Sequence, residues 1–350
     1  MFAFGRQDQT PAPSAASPTS ASADKAVRAP ASRTDGSQTS EPARPLPDLT
    51  PDADGALSQE QMRALTRVVA ENYRANYKKQ RDYTYLEREV QKKLDGKGHV
   101  KFTAVRTYEV MAIYGEQFER LIEKDDKPLS EKDAAQEEER VQREVEKRKN
   151  ESQEERAKRQ AEEEKQREKN REFVSDVAEA YNFRLVGSEL LNGRDAWVIA
   201  GEPRAGFEPH GKAARFLSKF HGRMWIDKGD MQLVHLDVEA TDTVSLGWVL
   251  ARIHKGTRLV YEQIRVNHEV WLPGHLNFKL DARIGLFKGY NEEAEQTYRD
   301  YRNFRTGATG VGVRGDGGGE VGWPFLSEML LARHESACLC QRYNRKIRTR

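Results

Sequence analysis

The spacing of hydrophobic and polar residues changes along the chain, and its first regular stretch is helical. Apolar side chains between Met62 and Tyr77 recur every three or four positions, which is typical of one amphipathic helix. Ser58 and Gln61 have the spacing of a capping box, so the helix is predicted to begin at Ser58. The stripe that must pack against something consists of Met62, Leu65, Val68, Val69, Tyr73 and Tyr77.

After Asp82 the pattern changes to alternation, which predicts strands. Runs rich in Val, Ile, Tyr, Phe, Trp and Thr are separated by turn sequences, as in successive β-hairpins. Those turns are DGKG at Asp95, YG at Tyr114, NG at Asn192, KGD at Lys228, KG at Lys255, PG at Pro273 and KG at Lys288. The segment from Leu276 to Leu286 has one apolar and one polar face, so we expect a large, curved, antiparallel sheet.

One highly charged segment interrupts the strands. Residues from Ser130 to Arg171 are strong helix formers, with several Glu and Arg residues four positions apart. They predict one long helix of roughly 60 Å. Its apolar residues, such as Val141 and Val145, are too sparse for a coiled-coil seam, so most of this helix should be exposed to solvent. An apolar stripe from Phe173 to Tyr181 should bring the chain back to the domain.

Composition divides the chain into one folded domain and two tails. Residues 1–56 are rich in Pro, Ala and Ser and predict a disordered tether. Residues 57–304 carry the folded domain, with 130–171 as a charged helical insertion. Residues 305–350 lose the alternation and are rich in Gly and Arg, which indicates either a disordered tail or translation in another reading frame. Cys338 and Cys340 within it are too close for an unstrained disulfide.

Charge and hydropathy exclude several classes of partner. The chain has 350 residues, of which 37% are hydrophobic and 33% charged, and its formal net charge is only +2. No global field therefore attracts nucleic acid, and no nucleic-acid partner is predicted. No apolar run approaches the roughly 20 residues of a transmembrane helix, so no membrane span is predicted. The N-terminal MFAFG is either the last part of a signal peptide or the start of a disordered segment.

The chemistry-bearing residues form no recognisable catalytic or metal pattern. His268 and His275 flank a Pro-Gly pair and share no helix, and His235 alternates with acidic residues on a strand face that should be solvated. GDGGG at Gly315 lacks the ending of a phosphate loop, and the sequence has no GxSxG, HExxH or CxxC motif. We predict no catalytic residue, no metal site and no cofactor, and we expect the protein not to be an enzyme.

An unusual surplus of apolar residues occurs between Leu246 and Ile253. The stretch LGWVLARI is apolar at both odd and even positions, unlike a strand that is wet on one face. Two interpretations stay open. It is a central strand covered on both faces, or it lies in a sheet whose concave face lines an apolar cavity for a lipidic ligand.

Three stretches resemble the bacterial outer-membrane lipoprotein carriers of the LolA/LolB type, whose fold the regulator RseB shares. They are GRDAWVIAGEP from Gly193, GRMWIDKGDMQLVHLDVEATDT from Gly222, and VWLPGHLNFKLDARIGLFKGYNEEAEQTYRDYRNF from Val270. In that family a WLP sequence begins a strand, so Trp271 to Pro273 should be a corner of the sheet. The resemblance implies an α+β fold, in which a curved antiparallel half-barrel is covered by helices. To this the sequence adds the long charged helix and the disordered termini.

The resemblance also implies a function. It points to a periplasmic protein that binds lipid or lipoprotein, with a signal peptide that is missing or truncated in this sequence. Its partners would be acyl chains in an apolar concave cavity. The long charged helix, which has no counterpart of that length in known carriers of this type, would add envelope proteins as partners. The alternative is a sensor or interaction scaffold that uses the charged helix as its contact surface. The cavity is predicted to be lined by Leu246, Trp248, Leu250, Leu276, Phe278, Leu280 and Ile284.

Overall fold

The computed structural model describes residues 47–114, 116–210, 213–246, 251–284 and 288–303. The helices are α1 Gln59–Gln80, α2 Glu131–Lys149 and α3 Gln153–Ala180, with a 3₁₀ helix at Ala213–Lys219. The strands of these residues are β1 Ala56–Leu57, β2 Tyr83–Leu94, β3 Val100–Ile113, β4 Glu116–Lys124, β5 Lys127–Pro128, β6 Tyr181–Leu191, β7 Arg194–Pro203, β8 Phe220–Asp227, β9 Leu233–Ala240, β10 Val244–Leu246, β11 Ala251–Ile253, β12 Arg258–Val266, β13 Val270–Ile284 and β14 Lys288–Asn303.

The strands form one antiparallel sheet with open edges. Its order is β1-β6-β7-β8-β9-β12-β13-β14-β2-β3-β4-β5, and β11 joins β10 to β13 beside this path. Since the end strands β1 and β5 do not pair with each other, the sheet is curved and open rather than closed into a barrel. The predicted α+β class, with a large antiparallel sheet and covering helices, is confirmed.

The predicted turns at Asp95, Asn192, Lys228 and Lys255 are confirmed, and the one at Tyr114 includes Gly115, which lies outside the described residues. The predicted turns at Pro273 and Lys288 are wrong, because Lys288 and Gly289 are paired residues of β14. Pro273 lies inside β13 and pairs with Gln263 beside a β-bulge, where a missing N–H donor is tolerated. The β12–β13 turn instead falls at Asn267 and His268, whose φ angles are 51° and 58°. Trp271 does lie at the start of β13, as the resemblance implied.

The apolar stretch from Leu246 to Ile253 is not one continuous strand, which corrects the first of its two interpretations. Its ends belong to β10 and β11, which pair antiparallel with each other, Leu246 opposite Ala251. Residues 247–250 between them lie outside the described residues. A hairpin explains the pattern, because the alternation of a strand is lost where the chain reverses direction.

Helix α1 has the predicted cap and the predicted buried stripe. The Gln61 backbone N–H donates to Ser58 Oγ at 3.1 Å, and the Ser58 N–H donates to Gln61 Oε1 at 2.8 Å. The far end of the helix is fixed to β13. Asn76 accepts from the Trp271 N–H and donates to the Trp271 carbonyl, both at 2.7 Å, and Gln80 donates to the same carbonyl at 2.6 Å. Residues Met62, Leu65, Val69 and Tyr77 are buried.

The prediction of a single long charged helix is wrong. The segment forms two helices, because α2 ends at the C-cap residue Asn150 and α3 begins after the N-cap residue Ser152. Ser152 Oγ accepts from the Glu155 N–H at 3.1 Å, and Glu155 accepts in return from the Ser152 N–H at 2.9 Å. Asn and Ser bond more readily to backbone at helix ends than in helix interiors, and here they stop one helix and start the next.

Helix α2 lies along the free edge of β4. Glu123 and Lys124 pair with β5, and the Ile122 carbonyl accepts from the Leu129 N–H at 3.2 Å. Without α2, the outward backbone groups before Ile122 would meet only water. Glu137 accepts from the Leu121 N–H at 2.9 Å, and Arg140 donates to the Glu119 carbonyl. Arg140 is itself held by Glu137, with its Nε 3.0 Å from both carboxylate oxygens. Part of the charged segment therefore covers the edge of the sheet.

The main core lies where the helices pack on the sheet. Helices α1 and α3 and the 3₁₀ helix pack against one face of β6, β7, β8, β9 and β12, which we call the inner face. Leu49, in the stretch before β1, is also buried in this core. A smaller cluster, around Tyr83, Tyr85 and Leu272, joins β2 to the start of β13.

Candidate ligand pocket

The strand register shows which side chains share the inner face. Leu276 of β13 pairs with Tyr261 of β12, Tyr261 with Leu236 of β9, and Leu236 with Met224 of β8. Directly paired residues of antiparallel strands project to the same side of the sheet. This row therefore runs across the inner face from β13 to the strands beneath α1 and α3.

A cavity of about 80 Å³ lies between these helices and the inner face. Hydrocarbon from α1, α3, β8 and β9 makes up most of its wall. Two hydroxyl groups of the lining donate hydrogen bonds to backbone carbonyls: Thr66 to the Met62 carbonyl at 2.8 Å, and Tyr181 to the Leu217 carbonyl at 2.9 Å. The apolar side chains of the wall include Leu65, Val69, Phe173, Val177, Met224 and Leu236.

Two glycines in register form part of the cavity lining. Gly201 of β7 pairs with Gly222 of β8, and both border the cavity. A Cβ on Gly222 would come within 2.7 Å of the Asp237 carbonyl oxygen, so a side chain there would displace backbone. The close approach of neighbouring strands requires glycine at this position.

The structure places the predicted cavity residues in three different situations. Leu276, Phe278 and Leu280 lie on the inner face, where Leu276 is buried and the other two are half-buried, but none of them lines the 80 Å³ cavity. Trp248 and Leu250 lie outside the described residues, as do the side chains of Leu246 and Ile284. Their part in ligand binding stays a prediction.

Toward β14, β2 and β3 the inner face changes from apolar to acidic. Leu276 pairs with Gln296 of β14, Gln296 with Glu89 of β2, and Glu89 with Arg106 of β3. Arg106 Nη1 is 3.6 Å from Glu89 Oε2. Burial raises the pKa of Glu89, although Arg106 opposes the shift.

Glu87 is the most buried carboxyl of this acidic region. It is only 7% exposed and lies between Tyr298 and Tyr108 in the neighbouring strands. Burial raises the pKa of Glu87 to about 8, and the nearby carboxylates Glu119 and Glu89 add to the shift. At neutral pH this side chain is therefore mostly a neutral acid.

A group of tyrosines joins the apolar and the acidic regions. The ring of Tyr298 packs against both the main core and the smaller cluster. Tyr85 stacks edge-on with Tyr298 at 5.8 Å and lies 5.7 Å from Tyr301. Sequence reasoning missed this region, although the alternation of Tyr83, Tyr85, Glu87 and Glu89 in β2 already places these side chains on one face.

The histidines named from the sequence are dispersed. His268 is exposed in the β12–β13 turn, and His275 is 3.1 Å from Glu295. His235 is half-buried against Trp225 and 3.2 Å from Glu262; burial lowers its pKa, although the carboxylate opposes the shift. Within the described ranges, no three His, Cys, Asp or Glu side chains are grouped to hold a metal ion. Nor does any helix in those ranges have the length and apolarity to cross a membrane.

Comparisons with known proteins give structural matches only. No family model and no curated protein matches the sequence. A putative outer membrane lipoprotein-sorting protein domain from Vibrio parahaemolyticus is 11% identical, with 70% of this chain and 93% of that chain covered and a TM-score of 0.30. A LolA superfamily protein from Nitrosomonas europaea is 10% identical, with 68% and 92% covered and a TM-score of 0.27.

A third solved structure, the MucA/MucB complex of Pseudomonas aeruginosa, is 10% identical, with 69% of this chain and 98% of that chain covered and a TM-score of 0.20. The first two matches are of the kind of protein that the sequence resembles. At these identities and TM-scores, the likeness says nothing about ligand or partner.

Proposed function

We propose that this protein binds the acyl chains of lipid or lipoprotein in the periplasm, as a carrier that performs no catalysis. The observation that carries the proposal is the hydrocarbon-walled cavity between α1, α3 and the inner face. Burial of each CH₂ group contributes about 0.8 kcal/mol and requires no specific polar contact. An acyl chain is the ligand that suits such a wall.

The size of the cavity limits how much of a chain it can hold. A volume of 80 Å³ has room for roughly six water-sized groups. Six methylenes would gain about 5 kcal/mol, which corresponds to weak binding once the cost of association is subtracted. We therefore infer that the chain end lies in the cavity and that the rest follows the inner face over Leu276, Phe278 and Leu280.

A pair of matched substitutions tests this proposal. Val177 of α3 lines the cavity, whereas Val186 of β6 is 58% exposed and is not part of the wall. Hexadecanoic acid carrying a fluorophore should bind the unaltered protein. Val177→Trp should weaken binding at least tenfold, and Val186→Trp should leave it unchanged. Absence of binding to the unaltered protein, or equal affinities for all three proteins, would contradict the proposal.

The periplasmic location is a separate part of the proposal and has its own test. The protein should be expressed from its chromosomal locus and its cells fractionated. Recovery with periplasmic markers supports export, whereas recovery with cytoplasmic enzymes refutes it.

An interaction scaffold is the second candidate function, and the exposed first half of α3 favours it. Lys158 and Lys165 are exposed there among residues of both charges. Removal of the whole charged segment would also uncover the β4 edge, so charge reversal on α3 is the cleaner test. A scaffold should lose its cross-linked envelope partner in the Lys158→Glu/Lys165→Glu variant and keep it in Val177→Trp. A carrier should show the opposite pattern in acyl-chain binding.

A further inference from the structure

The side chain of Glu87 is largely buried, and its carboxyl oxygens have no hydrogen-bond partner among the described residues. The residue is 93% shielded from solvent, since its exposed fraction is 7%. Among the described residues, none of the hydrogen bonds or ion pairs includes its carboxyl oxygens. Buried polar groups are nearly always hydrogen-bonded, because an unpaired one loses its hydration without compensation. A group that lacks a donor in the protein alone is a candidate for contact with a ligand.

Several titratable groups face Glu87 from the strands around it. Arg106 is the basic side chain closest in register, and its guanidinium is already engaged by Glu89 at 3.6 Å and by Gln91 at 3.5 Å. Glu119 of β4 is exposed at the rim of the same region and takes part in none of the ion pairs of the described residues. Glu87 shares its face of the sheet with Tyr85 and Glu89 on β2, Arg106 and Tyr108 on β3, and Tyr298 on β14. Glu119 on β4 lies on the same face two strands away, because it pairs with Val110 and Val110 pairs with Tyr85.

We propose that Glu87 and Glu119 bind the primary ammonium headgroup of an amphiphile whose tail occupies the apolar inner face. The proposal rests on the proposed acyl-chain binding and adds a headgroup to it. The two regions are continuous, because Tyr298 contacts the main core and is also the partner of Glu87 in register. A primary ammonium supplies N–H donors and a positive charge, the two things that the carboxyls lack. A quaternary ammonium supplies only the charge.

Binding of a cation should release a proton from Glu87. The pKa of Glu87 is about 8 in the free protein because of burial, so the group is mainly neutral at pH 7. A bound ammonium stabilises the ionised form and lowers this pKa toward its ordinary value of about 4.5. Affinity should then rise up to about 50-fold between pH 6 and pH 8, with about one proton released per ligand at pH 7.

Calorimetric titration with three ligands of equal tail length tests the proposal. They are n-decylamine, n-decyltrimethylammonium and n-decanol, each below its aggregation limit. At pH 8 decylamine should bind at least tenfold more tightly than the other two. Glu87→Gln should abolish this preference and the proton release. Glu293→Gln, which removes a carboxylate from the opposite face of β14, should leave both unchanged.

The outcomes separate the two proposals. If decylamine and decanol bind with equal affinity, the apolar pocket stands and the ammonium site is overturned. If neither binds, acyl-chain binding fails and the headgroup site fails with it. If Glu87→Gln does not fold, the test is proton release by the unaltered protein. The heat of decylamine binding should then differ between buffers of different ionisation enthalpy, because the buffer takes up the released proton. Equal heats would overturn the proposal. Glu119→Gln, at an exposed position, should then weaken the preference for decylamine.

Discussion

Replacement of Glu87 by Gln should make the protein more stable at alkaline pH. The folded protein holds the Glu87 proton up to a pKa of about 8, whereas an unfolded chain releases it near the ordinary value of 4.5. Between these two values the unfolded state binds fewer protons, so the stability of the parent protein falls as pH rises. Gln has nearly the same shape and no charge, so its contribution to the free energy of unfolding does not change with pH.

The magnitude follows from these two pKa values. By linkage, the raised pKa of Glu87 lowers the free energy of unfolding of the parent protein by about 1.4 kcal/mol at pH 5.5 and by about 4.6 kcal/mol at pH 8.5. The variant should therefore gain about 3 kcal/mol relative to the parent between these pH values. Relaxation of the protein and entry of water reduce such costs, and a gain of at least about 1.5 kcal/mol is the result we expect.

Urea unfolding at pH 5.5 and 8.5, followed by tryptophan fluorescence, measures this difference. The parent, Glu87→Gln and the control Glu293→Gln are compared at each pH, so that the titration of other groups cancels. A gain that is the same at both pH values, or no gain at all, would refute the reasoning. It would mean that Glu87 reaches water or an unrecognised donor in the folded protein.

Four further changes have expected outcomes of their own. Asn76→Ala should cost about 2 kcal/mol in urea unfolding, because it leaves the buried Trp271 N–H without an acceptor. Ser58→Ala should cost about 1 kcal/mol, with Ser58→Thr close to the parent in the same assay. Arg140→Ala should leave the Glu119 carbonyl of the β4 edge without its donor, and light scattering during storage should detect faster aggregation than in an Arg171→Ala control. Truncation after Phe304, which removes residues outside the described part of the chain, should leave the melting temperature unchanged.

Sequence patterns correctly predicted the elements whose conformation is determined by residues close together in the sequence. The α1 stripe and the Ser58 capping box depend on residues within four positions of each other, and both are confirmed. The even-numbered apolar face of β13 is also local, since alternation alone assigns Leu276 and Phe278 to the inner face. The same holds for the Asn192–Gly193 turn, where both φ angles are positive.

The errors arose where a distant segment decides the conformation. Pro273 and Gly274 form a turn signal in isolation, but the bulge between Glu262 and Gln263 accommodates them within β13. A bulge depends on the partner strand, which a local window does not include. The cavity is a feature of the same kind. Its position depends on how α1 and α3 leave part of the inner face unfilled, and not on any single stretch of sequence.

Glu87 is a position where the effects of one substitution on stability and on ligand binding can be measured separately. A Gln at this position would avoid the cost of a buried acid, so stability alone does not favour Glu. Two measurements on the same variant distinguish the remaining explanations. A variant that is more stable at pH 8.5 and no longer prefers decylamine shows that the carboxyl is kept for binding at the expense of stability. A variant that is more stable and binds decylamine as before shows that the acid is only tolerated, and the headgroup site must then be rejected even if the pocket binds acyl chains.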